Sequence, residues 1–387
     1  MILFDDNERD YHLPKTECES SYHFFNRSAR PAIGLIRDKI ESWLSAYPAE
    51  HRAELVARFR DDEFFSPWYE LFLHQMFLHM GAALEVHPEV GDQNKRPEFL
   101  VDLQSTRFVV EAALFNEESV KEKNQSKSLG YVYDEINKLN VPFFLSVHRI
   151  VCPAHMQFSP KRIKAFLTRE LAQIDPDELI KNNQFHQMPR LKFEDNGASI
   201  EFGVLPKSKA GRQKKSRVIG MKTRGFGVTR GSSEHRLRKS LEAKGKKYGK
   251  LNMPYLITVN TLGQISLDKS ELLGALFGTE QEYVPAGSDE CHIRTLDDGF
   301  WGTASNPKYT RVSGVLLGMA LPWSIPRMEL TIFRNPWAKW PLAEIDWPFP
   351  VCDRQDDSRL LETGPCFDLA SLFGLPRDWP GDLFDNR

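Results

Sequence analysis

Two glutamates, Glu98 and Glu111, carry the clearest chemical signal in this chain. They belong to two apolar, β-prone runs, Phe99–Leu103 and Phe108–Ala112, which a short polar break separates, and the whole reads as a hairpin. A turn centred on Gln104-Ser105 sets Leu103 opposite Thr106, Val101 opposite Phe108 and Glu98 opposite Glu111. Directly opposed Cβ atoms lie about 5 Å apart, and like charges there repel unless something positive sits between them. A divalent cation is one such thing, because hard cations take carboxylate oxygens. The other reading of the pair is a solvent-exposed hairpin edge with two unrelated acids.

Glu70 and His74 are the next residues to stand out. Ser66-Pro67 is a good helix start, with a serine to cap free N–H groups and a proline in the first turn, and Gly81 is a good stop. The helix between is apolar nearly all round, so a carboxylate and an imidazole four residues apart on one face are conspicuous. Glu70 reads equally well as a hydrogen-bonded acid at a helix edge, and His74 reads more readily as a core histidine.

The surrounding elements must hold these groups. A strand at Ala82–Val86 precedes the hairpin. After it, Ser126 can cap a helix with Leu129, Val132, Tyr133, Ile136 and Leu139 on one side, and 141–147 is a continuous apolar run suited to a strand buried on both faces. Residues 65–150 thus read helix, strand, strand, strand, helix, strand.

That order, with Glu70, Pro97-Glu98 and Glu111-Ala112-Ala113 where they stand, resembles the PD-(D/E)XK nuclease superfamily. The resemblance covers about a quarter of the chain and implies a restriction-endonuclease-like mixed sheet flanked by helices. It implies Glu98 and Glu111 as ligands of Mg²⁺ or Mn²⁺, with Glu70 as an auxiliary ligand. Glu98 stands where aspartate is usual, and both present a carboxylate. Ala113 stands where the family's lysine belongs, the group that orients the attacking water and stabilises charge on the phosphate. Some members supply this amine from the next helix, which points to Lys123 or Lys127, with Gln125 as a polar substitute. Lys244 and Lys247, on a later helix, are a second source.

The chain has 387 residues, enough for two domains or one domain with a large elaboration. No apolar run reaches the roughly 18 residues of a membrane span, and the first residues lack the basic-then-apolar layout of a signal peptide. Five scattered cysteines without a CxxC pair fit reduced thiols in a cytoplasm and argue against a cysteine-rich zinc site. The net charge of −2 hides an uneven distribution: Lys207 to Lys250 holds 16 Lys and Arg against Glu234 and Glu242. A basic block on an otherwise acidic chain points to a local polyanion. Lys207, Lys209, Arg212, Lys214, Lys215, Arg217, Lys222, Arg224, Arg230 and Lys244 are its candidate phosphate contacts, in a stretch that reads as a mobile loop up to Gly231. A solvated loop is the plainer reading of any charge run. Gly225-Phe226-Gly227 lacks the Gly-Lys-Ser/Thr of a P-loop, so ATP use is not supported.

The remaining pattern gives an α/β protein. Residues 1–62 form an N-terminal helical arm, 63–150 the nuclease-like core, and 151–250 a helix, a hairpin around Asp195-Asn196-Gly197 and the basic loop. Residues 251–387 form a second α/β half with a Trp- and Pro-rich wrapping tail. The unit 233–259 echoes 126–147 as a helix followed by a buried strand with a proline-aromatic opening. The expected function is metal-dependent endonucleolytic hydrolysis of nucleic acid. The resemblance favours DNA and a setting in bacterial restriction or phage defence, with a protein partner in a defence complex. The rivals are a nucleic-acid-binding module of the same fold that lost catalysis with the lysine, and a scaffold subunit whose basic loop meets an acidic protein.

Overall fold

Large apolar residues at 99, 101, 103, 108 and 110 alternate with residues that face the other way, so the hairpin must be covered on both sides. In the computed structural model it is. The structure describes residues 2–61, 63–91, 95–116, 120–153, 156–181, 188–213, 216–222, 232–262, 269–284, 291–355 and 360–383.

In chain order the helices and strands begin with α1 (Ser21–Arg27), α2 (Pro31–Ser45), α3 (Ala49–Arg60) and α4 (Phe65–His79). Strands β1 (Ala83–Val86), β2 (Phe99–Leu103) and β3 (Thr106–Phe115) come next, then α5 (Val120–Ile136) and β4 (Phe143–Val151). There follow α6 (Pro160–Leu171), α7 (Pro176–Lys181), β5 (Arg190–Asp195), β6 (Ala198–Pro206), α8 (Lys209–Arg212) and β7 (Ile219–Lys222). The last third holds α9 (Ser232–Gly245), β8 (Tyr255–Thr261), α10 (Lys269–Phe277), β9 (Glu280–Tyr283), β10 (His292–Thr295), β11 (Gly314–Met319), β12 (Glu329–Arg334), β13 (Val351–Arg354), β14 (Leu360–Thr363) and α11 (Leu369–Phe373).

The chain divides into two units, and the division differs from the four segments read from the sequence. One unit comprises residues 1–11, 20–117 and 230–387, and the other 12–19 and 118–229. The expected core of 63–150 is therefore interrupted. Strand β4 does not join β3; the strand beside β3 is β8, more than a hundred residues later. Both β4 and β8 are apolar runs after a basic or polar helix, so local pattern cannot choose between them. The choice is a tertiary one.

The first unit is built on an eight-stranded mixed sheet in the order β1-β2-β3-β8-β11-β12-β13-β14. Strands β1, β2 and β3 form an antiparallel meander, and β8 and β11 then run parallel to β3. The hairpin register is the expected one, with Phe99 opposite Val110, Val101 opposite Phe108 and Leu103 opposite Thr106. Gln104 and Ser105 both adopt positive φ, 49° and 65°, as a two-residue turn matched to strand twist requires. One sheet face packs Phe99, Val101, Phe108 and Val110 against Trp68, Phe72 and Phe77 of α4. The other packs Leu100, Val109, Ile257 and Val259 against Leu237 and Leu241 of α9. The tail wraps as expected: Trp347 and Trp379 are buried in the first of these clusters, and β13 and β14 extend the sheet.

The second unit has a four-stranded sheet in the order β5-β6-β4-β7. One face packs on α5 and α6 through Leu129, Ile136, Ile163 and Leu167. Asn196 and Gly197 form the expected turn with positive φ. The basic stretch is not loop throughout: 209–212 are helical, and 219–222 pair in parallel with β4. Among the described residues no helix is long and apolar enough to cross a membrane.

Candidate active site

The hairpin brings Glu98 and Glu111 together on the sheet face that α9 covers. Glu111 shares that face with Val109 and Ala113, and Glu98 lies two residues before Leu100, which packs in the same cluster. Glu111 is fully buried, whereas Glu98 is partly exposed, so the pair is closed at one end and open to solvent at the other. The hairpin register sets the two carboxyls opposite one another, near enough for each to feel the other's charge, and the Ala112 amide donates to Glu98 Oε2 at 2.8 Å.

The positive charge that such a pair demands comes from the end of α9. Lys244 Nζ donates to Glu111 Oε1 at 2.6 Å and to the Ala112 carbonyl at 3.3 Å. Lys247 Nζ donates to the same Oε1 at 2.5 Å, and the Tyr248 hydroxyl donates to Glu111 Oε2. Leu237, Leu241, Lys244 and Tyr248 lie on one stripe of the helix and its continuation, so Lys244 occupies a core-facing position. Arg238, further up α9, holds the helix in register: it pairs with Glu234 and Asp298 and donates to the carbonyl of Gly274.

Electrostatics separate the two acids. Burial pushes the Glu111 carboxyl up, but Lys244, Lys247 and Tyr248 outweigh it and hold Glu111 below the usual carboxylate range. Glu98 is pushed up to about 8, first by burial and then by the charge and hydrogen bond of Glu111, against smaller opposing effects of the Ala112 amide and Lys247. Burial and the neighbouring charge thus favour the protonated form at Glu98, and the two ammoniums favour the ionised form at Glu111. Burial and the Glu111 carboxylate also raise the Tyr248 phenol well above its ordinary value, so it stays a donor.

Glu70 does not join the pair as a third ligand. It is buried, accepts from the Tyr47 hydroxyl and from Arg58, each at 2.6 Å, and has His87 Nε2 at 3.5 Å. Those partners consume both oxygens. Even so, Glu98 acts electrostatically on Tyr47 and Arg58, and the His87 amide donates to the Glu98 carbonyl. His74 is a core histidine, buried and 3.2 Å from Gln75 through Nδ1. Among the described residues no three His, Cys, Asp or Glu side chains stand close enough to hold a metal ion.

The donors that do converge are the carboxyls of Glu98 and Glu111 and the carbonyl of Ala112. This hard-oxygen set fits Mg²⁺ or Mn²⁺, which keep several waters and need only one or two protein carboxylates.

Of the amines read from the sequence, Lys127 is exposed on α5 in the second unit, and the side chain of Lys123 lies outside the described residues. Among the described residues, the amines in contact with Glu111 are those of Lys244 and Lys247. In the basic block, Lys207 is buried with its ammonium 5.0 Å from the Phe144 ring centroid. Arg212 pairs with Asp177 and Arg217 with Glu17. These three have protein partners because acids and an aromatic ring from neighbouring segments reach them, which narrows the expected phosphate-binding set. Lys209 is exposed; Lys214, Lys215, Arg224, Arg230 and the side chain of Lys222 lie outside the described residues. Tyr248 was missed by sequence reasoning, although its place on the Leu237–Leu241–Lys244 stripe is a readable signal.

Comparison with known proteins adds no relative: no protein family, no curated protein and no solved structure matches this chain.

Proposed function

We propose that this protein is a metal-dependent phosphodiesterase that cleaves nucleic acid, with Glu98, Glu111 and Lys244 as its catalytic residues. The observation that carries the reading is the arrival of Lys244, from a distant helix, beside Glu111 where the local motif offers only Ala113. An antiparallel meander followed by a helix and a parallel strand, β1-β2-β3-α9-β8, also supports the likeness to PD-(D/E)XK nucleases.

Glu98, Glu111 and the Ala112 carbonyl would hold Mg²⁺ or Mn²⁺. When bound, such an ion polarises the phosphate and lowers the pKa of water. Lys244 donates protons toward the phosphate oxygens and stabilises the charge that builds there. Tyr248 fixes the rotamer of Glu111. Hydroxide adds to phosphorus, the phosphorus–oxygen ester bond breaks, and the leaving alkoxide takes a proton from water. Exposed cations of the basic block, such as Lys209, would contact the backbone in a salt-dependent, sequence-independent manner. DNA is the favoured substrate, and restriction or phage defence the favoured setting.

Supercoiled plasmid, single-stranded DNA and RNA incubated with and without Mn²⁺ test this. Cleavage should require the ion, vanish in Glu111→Ala and fall roughly 10²–10³-fold in Lys244→Met. Failure to cut any of the three with Mn²⁺, or cutting that survives Glu111→Ala, refutes it.

One observation favours a second reading. Glu111 already has two ammonium partners and a phenol, a set that neutralises a buried acid without any ion. A nucleic-acid-binding module built on the same fold would retain these substrates without cutting them, and retention would be unchanged in Glu111→Ala. A scaffold subunit would not retain them at moderate salt.

A further inference from the structure

The sheet of the second unit uses one of its faces for the core. Leu145 and Val147 of β4 and Ile200, Phe202 and Val204 of β6 pack there with α5 and α6. The opposite face, among the described residues, joins no hydrophobic cluster. A bulge between Val147 and Arg149 inserts one residue into β4, so that His148 and Arg149 both turn to this open face. The register sets Lys192, Glu201 and Arg149 in one row, and Arg190, Gly203 and Ser146 in the next row on the same side. His148 is exposed, and its Nε2 stands 2.9 Å from Ser146 Oγ. A Cβ at Gly203 would lie 2.4 Å from that nitrogen, so the imidazole rests across bare glycine backbone and the serine holds it there. Arg149, Arg190 and Lys192 are exposed too. Arg190 pairs with Glu201 and Lys192 with Glu194, whereas among the described residues no acid pairs with Arg149. Arg149, Val151, Lys192, Ser199 and Glu201 line a depression of about 290 Å³.

We propose that this open face binds single-stranded nucleic acid: Arg149, with Lys192 and Arg190 beside it, meets backbone phosphates, and His148 offers a ring on which a base stacks. The inference rests on the nucleic-acid reading above, though not on the carboxylate pair. Cations beside a positioned aromatic ring on a sheet surface match the anionic backbone and exposed base faces of a single strand. The ion pairs of Arg190 and Lys192 are solvent-exposed and weak, so a phosphate can replace the carboxylates. A duplex hides its base faces, and an open sheet face does not enter a groove as a helix does. An acidic protein would satisfy the three cations but gain nothing from the held imidazole.

Fluorescence anisotropy with the full-length protein tests this, using labelled oligo-dT and oligo-U strands about 12 nucleotides long, with EDTA present to prevent cutting, at about pH 8. Circular dichroism follows the folding of each variant. Arg149→Ala and Lys192→Ala should each weaken binding and reduce the slope of log K against log salt by about 0.7. His148→Ala should weaken binding roughly fivefold or more with little change in that slope, and His148→Phe, which keeps a ring, should restore it. A duplex of the same length should bind more weakly than the strands, and poly-glutamate should compete poorly. Unchanged affinity in Arg149→Ala and His148→Ala alike overturns this face as the strand site while leaving a nucleic-acid-binding protein. Equal affinity for the duplex, or losses that follow the charges alone with His148→Ala unaffected, overturns the single-strand assignment. Displacement by poly-glutamate at matched charge gives the face to an acidic protein instead. Retention of neither strand overturns this inference, and if the duplex is not retained either, the nucleic-acid reading falls with it.

Discussion

The raised Glu98 carboxyl gives stability a pH dependence that a single substitution should reduce. In the folded protein burial and Glu111 push the Glu98 carboxyl up to about 8, whereas an unfolded glutamate titrates near its ordinary value of 4.5. Between those values the native state binds more protons than the unfolded state, so stability falls as pH rises through the window. Each unit of difference is worth about 1.36 kcal/mol, but Glu98 is partly exposed and part of its shift comes from the charge of Glu111. Discounting for solvent screening leaves on the order of 1–2 kcal/mol lost between pH 4.5 and 8. Glu98→Gln keeps an acceptor for the Ala112 amide and cannot ionise. Urea unfolding at half-unit steps from pH 5 to 8.5 should therefore show a shallower decline in the variant than in the starting protein. Saturating Mg²⁺ at pH 8 should stabilise the starting protein, by about 2.7 kcal/mol at a hundred times Kd, and do so less in the variant. Parallel stability profiles for the two proteins would refute a raised Glu98 carboxyl.

The other predictions concern the frame of the site. Burial depresses the His74 imidazole to about 4, so its contribution to stability is present above the unfolded value near 6.5 and is lost as pH falls toward 4. His74→Gln should flatten urea stability across that acid window by up to about 3 kcal/mol; an unchanged acid profile counts against a neutral core histidine. A Cβ at Gly245 would lie 2.7 Å from the Tyr309 ring and 3.2 Å from Phe300, both in the packing beside α9. Gly245→Ala should cost about 1–3 kcal/mol and reduce any cleavage activity along with Lys244 placement; a variant as stable and active as its parent contradicts that packing account.

The hairpin was readable because alternation and a two-residue break leave one register that buries Phe99, Val101, Phe108 and Val110 on a single side. The meeting of Glu98 with Glu111 follows from that register alone. The strand beside β3 was not readable. Val141-Pro142-Phe143 and Met253-Pro254-Tyr255 open two nearly interchangeable apolar strands, and only tertiary packing sends the second one to β3. Of the two sources of an amine read from the sequence, α5 and the later basic helix, the later helix is the one that places ammoniums, those of Lys244 and Lys247, on Glu111. For Glu70 the sequence left a ligand and a hydrogen-bonded acid equally open, because nothing in its own segment reveals that Tyr47 and Arg58 occupy its oxygens.

The interruption of the first unit between residues 117 and 230 has a consequence for how the protein is made. Glu111 leaves the ribosome 133 residues ahead of Lys244. At 5–20 residues per second, that interval lasts roughly 7–27 s. Throughout it the meander has two acids and no counter-charge from α9, and β3 lacks its neighbour on one side. Residues 118–229 of the second unit are synthesised in that interval, so its own sheet can form while the hairpin waits, and the charge centre is assembled only when the late helix docks.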